Sequence, residues 1–129
     1  MEIVDQSLAA FKREMVHQGI WDNVAVVTTS DFARTLTTNG IGTDHAWGGH
    51  YMMAGGSVNG GQIHGRYPDD IYGDLTGGRF IPTLPWDAMW HATAQWMDVN
   101  ASKMAEVMPN HGNFEVGTTL LTRGQAFTN

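Results

Sequence analysis

The sequence contains no cysteine. That excludes a disulfide framework, a thiolate nucleophile, sulfur-based zinc fingers and iron–sulfur clusters. It does not settle the compartment, since exported proteins also lack cysteine. Positive charge is scarce too: 7 Lys and Arg face 13 Asp and Glu, a net charge of −6 with His neutral. Neither a phosphate backbone nor an anionic lipid surface attracts such a chain, so no nucleic-acid partner is expected. No apolar run approaches the ~20 residues of a membrane span, and no basic-then-apolar signal peptide opens the chain. Several catalytic signatures are also missing. Thr28, Thr29 and Ser30 are not set in a G-x-S-x-G elbow. Gly40-Ile41-Gly42 is too short for a dinucleotide fingerprint, and no P-loop lysine follows a glycine run.

Glycine, by contrast, is abundant: 16 of 129 residues, about 12% against a usual ~7%. Twelve of them fall between Gly40 and Gly78. Before that stretch, Leu8, Phe11, Met15 and Val16 recur near helical spacing and predict a helix over Asp5–Gln18, stopped by Gly19. Asn23–Ser30 is β-branched and almost continuously apolar, the pattern of a buried parallel strand. Helix, short turn and buried strand make half of an α/β crossover unit. From Asp31 to Gly78 the periodicity fades. His50–Ala54 and Gln62–His64 are candidate short strands, and Val58–Gln62 reads as a hairpin turn around Asn59-Gly60. Loops this long are usually functional or disordered, and Trp47, Tyr51, Tyr67 and Tyr72 argue for order. Trp86–Met97 predicts a second helix, with Thr83 as N-cap and Pro85 in the first turn. Its stripe of Trp86, Met89, Trp90, Thr93 and Met97 is most simply core packing. Asn100 or Ser102 caps a short third helix ending before Pro109. The tail, 115–129, is weakly patterned and expected to fray. Residues 1–129 hold no linker or repeat and fit a single domain.

The polar cluster is Asp31, Arg34, Asp44, His45 and His50. Asp31 follows the predicted strand, and ligand sites in α/β sheets lie beyond the carboxyl ends of strands. Asp44-His45 comes thirteen residues later, in a loop with enough glycine to fold back. Carboxylate plus imidazole suits a borderline divalent metal such as zinc or manganese. Arg34 has the fork to hold two oxygens of a phosphate or sulfate. Each residue has a plainer reading: Asp31 as a turn or N-cap residue, Arg34 as an ion-pair partner, His50 and His64 as surface hydrogen-bonding residues.

Four strings are more specific. They are Val26–Gly40 (VVTTSDFARTLTTNG), Gly42–His50 (GTDHAWGGH) and Met53–Pro68 (MAGGSVNGGQIHGRYP), with Met108–Phe114 (MPNHGNF) near the end. Together they resemble the bacterial domain-of-unknown-function 1501 family, over about residues 2 to 115. The resemblance places the chain in the alkaline-phosphatase-like superfamily, with sulfatases and cofactor-independent phosphoglycerate mutases. It implies an α/β fold, the C-terminal portion of an α/β/α sandwich with few strands and a long glycine-rich loop region. It implies a divalent metal, zinc, manganese or calcium, with Asp31 and His45 as ligands. Asp44 and Arg34 match family motif positions without an assigned role, and His50 joins them as a candidate metal or anion contact. Phe32 stands where the metallophosphatases carry a second His, which puts a standard two-metal site in doubt. The superfamily's nucleophile and its Asp-x-His motif match nothing in these residues. A phosphate- or sulfate-ester hydrolase-like segment that is inactive by itself is therefore expected. The alternatives are a structural or assembly subunit and a metal- or anion-binding module. Sheet edges in such a piece call for a second copy or another chain to cover them. Many family members carry export signals, so the resemblance points to an exported, periplasmic setting.

Overall fold

The computed structural model describes residues 1–67, 69 and 78–128. Tyr72 and the glycines at 73 and 77 lie outside the described residues. Helix α1 spans Glu2–His17, and a 3-10 turn at Trp21–Asn23 leads into β1, Ala25–Val27. Strands β2 (Ala33–Thr38), β3 (Thr43–Ala46) and β4 (Met53–Gly55) follow. Helix α2 is Asp87–Trp96, α3 is Met104–Val107 and α4 is Arg123–Ala126, with 3-10 turns at Ala101–Lys103 and His111–Asn113. The class is mixed α/β, as the sequence implied. No helix among the described residues is long and apolar enough to cross a membrane.

The strand expected at 23–30 forms at its centre but pairs antiparallel, not parallel. Ala25 faces Gly55, Val26 faces Ala54 and Val27 faces Met53. Continuous apolarity reports burial on both faces and carries no information about direction, which the partner decides. The second expected strand, His50–Ala54, is that partner, shifted toward Gly55. Beyond the ladder, Thr28 N–H donates to the Met52 carbonyl at 2.9 Å and Met52 N–H to Thr28 Oγ1 at 2.8 Å. Gly55 is required here because a Cβ would collide with the Val24 carbonyl oxygen.

A second hairpin, β2–β3, occupies ground that read as loop. Its four-residue turn, Asn39–Gly42, is built on an Asx arrangement. Asn39 Oδ1 accepts from Ile41 N–H at 3.2 Å and Gly42 N–H at 2.9 Å, and Gly40 supplies φ = +97°. The Asn-Gly hairpin signal therefore belongs to 39–40. At 59–60 it closes no hairpin. Asn59 instead donates its backbone N–H to Ala126 and its side-chain amide to Gln125, and Val58 bridges Phe127. No strand forms at Gln62–His64.

The core also differs from expectation. Helix α2 buries Ala88, His91, Ala92, Thr93 and Ala94. Of the expected stripe, Thr93 is buried and Trp90 packs against a core cluster, but Trp86 is 41% and Met97 70% exposed. Small residues on the buried face let α4 and the tail approach the helix closely. Ala88, Ala92, Leu121, Ala126 and Phe127 form one buried cluster, with Met53, Val58 and Trp96 packed against it. The tail thus supplies core and does not fray. Leu120 is fully buried, and Phe127 stacks on Trp96 with ring centroids 4.9 Å apart. His91 Nδ1 bonds the Leu121 carbonyl at 2.8 Å. Thr122 and Gln125 form a capping box that starts α4. A smaller cluster of Ala94, Met104 and Met108 seats α3. As expected, Asn100 caps its entry, accepting from Ser102 N–H at 2.9 Å. Thr83 is not the cap of α2. It clamps Arg66, as described below. Helix α1 buries no residue at all.

Candidate functional site

The β2–β3 hairpin carries most of the predicted cluster. Its register sets Ala33 opposite Ala46 and Arg34 opposite His45. Side chains alternate along a strand, so Arg34 and His45 share one face and Asp44 belongs to the other. On the first face the Phe32 ring stacks on His45, centroids 3.7 Å apart and 20° from parallel. The Arg34 guanidinium lies 5.0 Å from the Phe32 centroid and donates from Nη1 to the Thr43 carbonyl at 2.8 Å. A guanidinium over a ring face is a cation–π contact. Stacking covers the face of the imidazole and leaves its edge, where both nitrogens lie, unobstructed by Phe32. Arg34, Asp44, His45 and His50 are all exposed, as is Asp31, in the bend between β1 and β2.

Asp44 is committed elsewhere. Its Oδ1 accepts from Asn39 Nδ2 at 2.8 Å, and its Oδ2 lies 3.6 Å from Arg79 Nη2. Its N–H donates to Thr35 Oγ1 at 3.1 Å. Arg79 Nε also donates to the His45 carbonyl at 3.2 Å. Asp44 therefore ties the hairpin to the segment around Gly78-Arg79 and does not converge with His45. Among the described residues, no three His, Asp or Glu side chains gather closely enough to hold a metal ion.

His50 is separated from this group. It lines a cavity of about 1180 Å³ that Asp31, Arg34, Asp44 and His45 do not touch. The cavity lies between the apolar side of α1, the β4 segment and the start of α2. Tyr51 packs edge-on against Trp86 on its wall, centroids 4.1 Å apart, and His50 stacks on Tyr67 at 5.0 Å. Reading the sequence missed this feature. It assigned Trp86 to the core, although the alternation of Trp with Ala along α2 already offered a small-residue face for packing.

The sequence model of the family described as Protein of unknown function (DUF1501) matches residues 1–84. The chain belongs to this family. The DUF1501 match includes α1, both hairpin strands and β4, and it ends before the 108–114 string that also carried the resemblance. Both faces of the Arg34/His45 hairpin and most of the cavity wall thus fall in the DUF1501 span. Searches of curated proteins and of solved structures gave no match.

Proposed function

We propose that this chain provides part of a metal-dependent phosphate- or sulfate-ester hydrolase-like centre and turns over no ester by itself. In this reading it corresponds to the C-terminal portion of an alkaline-phosphatase-like fold. Asp31 and His45 are its metal ligands, and Arg34 is its anion contact. The observation that carries the reading is the Arg34–His45 register, which sets an imidazole and a guanidinium side by side on an exposed strand face. The donor set fits a divalent ion only in part. Asp31 and His45 offer one carboxylate and one imidazole, Asp44 is held by Asn39 and Arg79, and a zinc centre wants three or four protein ligands. No catalytic step is therefore assigned to these residues. The expected result is weak zinc binding by calorimetry, reduced at least about tenfold in Asp31→Ala and in His45→Ala. In parallel, p-nitrophenyl phosphate and p-nitrophenyl sulfate should release no p-nitrophenol with zinc, manganese or calcium. Metal-dependent release, or zinc binding indifferent to both substitutions, contradicts the proposal.

A second reading, a building block covered by another copy or chain, is favoured by α1. It buries none of its residues, while Ile3 is 80% and Val4 54% exposed. Among the described residues, β1 also pairs with β4 alone. Unpaired edges and apolar faces are surfaces that proteins ordinarily cover. Sedimentation equilibrium is expected to show self-association that Ile3→Glu/Val4→Glu weakens. A compact monomer at all concentrations rules this second reading out.

A further inference from the structure

The cavity beside α1 has a charge pattern at odds with the rest of the chain. Asp and Glu make up 13 of 129 residues. Among the described residues, none of them lines this space of about 1180 Å³. Of the described residues that line it, Arg66 is the one permanently charged side chain, joined by the imidazoles of His50 and His64. The remaining wall is dominated by apolar groups, with Ile3, Leu8 and Phe11 of α1 across from Met52, Leu84 and Trp86.

The rim that carries Arg66 is built, not incidental. Thr83 Oγ1 accepts from Arg66 N–H at 3.0 Å and donates to the Arg66 carbonyl at 3.2 Å. Gly65, at φ = +81°, packs so closely that a Cβ would stand 2.9 Å from the same hydroxyl. His50 is fixed by its stack on Tyr67. The ion pairs found among the described residues engage Arg79, Lys103 and Arg123, not Arg66.

An apolar cleft with a cationic rim and, among the described residues, no carboxylate suits one kind of occupant. A hydrocarbon alone leaves the guanidinium unused. A cationic amphiphile brings like charge up to Arg66, which repels it. An anionic head group gains charge-assisted hydrogen bonds while its chain covers the apolar wall. The net charge of −6 opposes anions at long range, so Arg66 on a rim with no acid among the described residues is the feature that admits one. We propose that this cavity binds a monomeric, single-chain anionic amphiphile, with its hydrocarbon between α1 and β4 and its head group at Arg66.

Calorimetric titration of the full chain with decanoate, below its micelle concentration, is the test. Saturable binding of one decanoate per chain is expected, with decyltrimethylammonium at least about tenfold weaker. Arg66→Gln should remove that preference while the circular dichroism spectrum stays unchanged, because Arg66 is exposed. Phe11→Ser, on a helix without buried residues, should weaken both ligands. Equal affinity for the two amphiphiles, an unsaturable signal, or an unaltered preference in Arg66→Gln overturns the proposal. So does binding to phosphatidylglycerol vesicles without binding to decanoate. The site shares no residue with the Asp31/His45 pair, so failure of the zinc titration leaves it standing.

Discussion

Replacing Phe127 by Ala is expected to cost about 3–5 kcal/mol and to lower the unfolding midpoint by more than about 10 °C. Phe127 is 2% exposed, lies in the buried cluster with Ala88 and Ala92, and stacks nearly parallel on Trp96. Alanines on the opposing face of α2 cannot expand into the hole, so most of the lost volume would remain as cavity. The loss is a large share of the ~5–15 kcal/mol that holds a domain folded. Urea titration gives the comparison, with Thr118→Ala as the exposed tail control, expected within about 0.5 kcal/mol of the parent. If Phe127→Ala unfolds with the control, the tail is not part of the cooperative core.

Gly55→Ala is expected to destabilise by about 2–3 kcal/mol, through crowding and not through backbone freedom. The added methyl would run into the Val24 carbonyl oxygen and press on Val58, which bridges Phe127. The β1–β4 ladder must open to relieve it. Gly60→Ala is the matched contrast. Nothing lies within 4 Å of its Cβ position, and its φ is not in the left-handed range. There the smaller freedom of the unfolded chain should raise stability by up to about 1 kcal/mol. Equal midpoints for the two variants would mean that the close approach of Val24 to Gly55 does not matter.

Helices were the legible part of this sequence. Helix α1 falls within three residues of the expected start and one of the expected end, because an amphipathic period is a local property. Helix α2 and the Asn100 cap were equally readable. The β2–β3 hairpin was not. Of its strand residues only Thr35 and Ala46 are buried, so no apolar alternation marks it. Its one local signature, Asn39-Gly40, has the same form as Asn59-Gly60, and only the strands on either side tell the two apart. The tail was misjudged because single apolar residues such as Leu121 and Phe127 fill gaps left by alanines. That fit depends on the partner and has no period. Of the site, Asp31, Arg34, Asp44, His45 and His50 stood out in the sequence as a polar cluster, but the Arg34–His45 pairing appears only with the register of β2 and β3. The separation of Asp44 from His45 follows from strand alternation once the hairpin is known. The cavity wall is gathered from α1, β1, β4, α2, the loops between them and the tail. Its lack of acids among the described residues therefore appears only after folding.

The way the tail closes the core has a consequence for the order of events during synthesis. Thr128 donates its N–H to the Ser57 carbonyl at 2.8 Å, and Asn59 donates to Ala126. Ser57 and Thr128 are 71 positions apart. Until residues 120–128 have left the ribosome, Ala88 and Ala92 of α2 lack Leu121 and Phe127, and Val58 lacks its bridge to Phe127. Local helices can form early, but closing so long a loop before any contact rewards it is the slow kind of step. Closure of the core therefore waits on residues 120–128, and a pause in their delivery prolongs exposure of the surface most in need of burial.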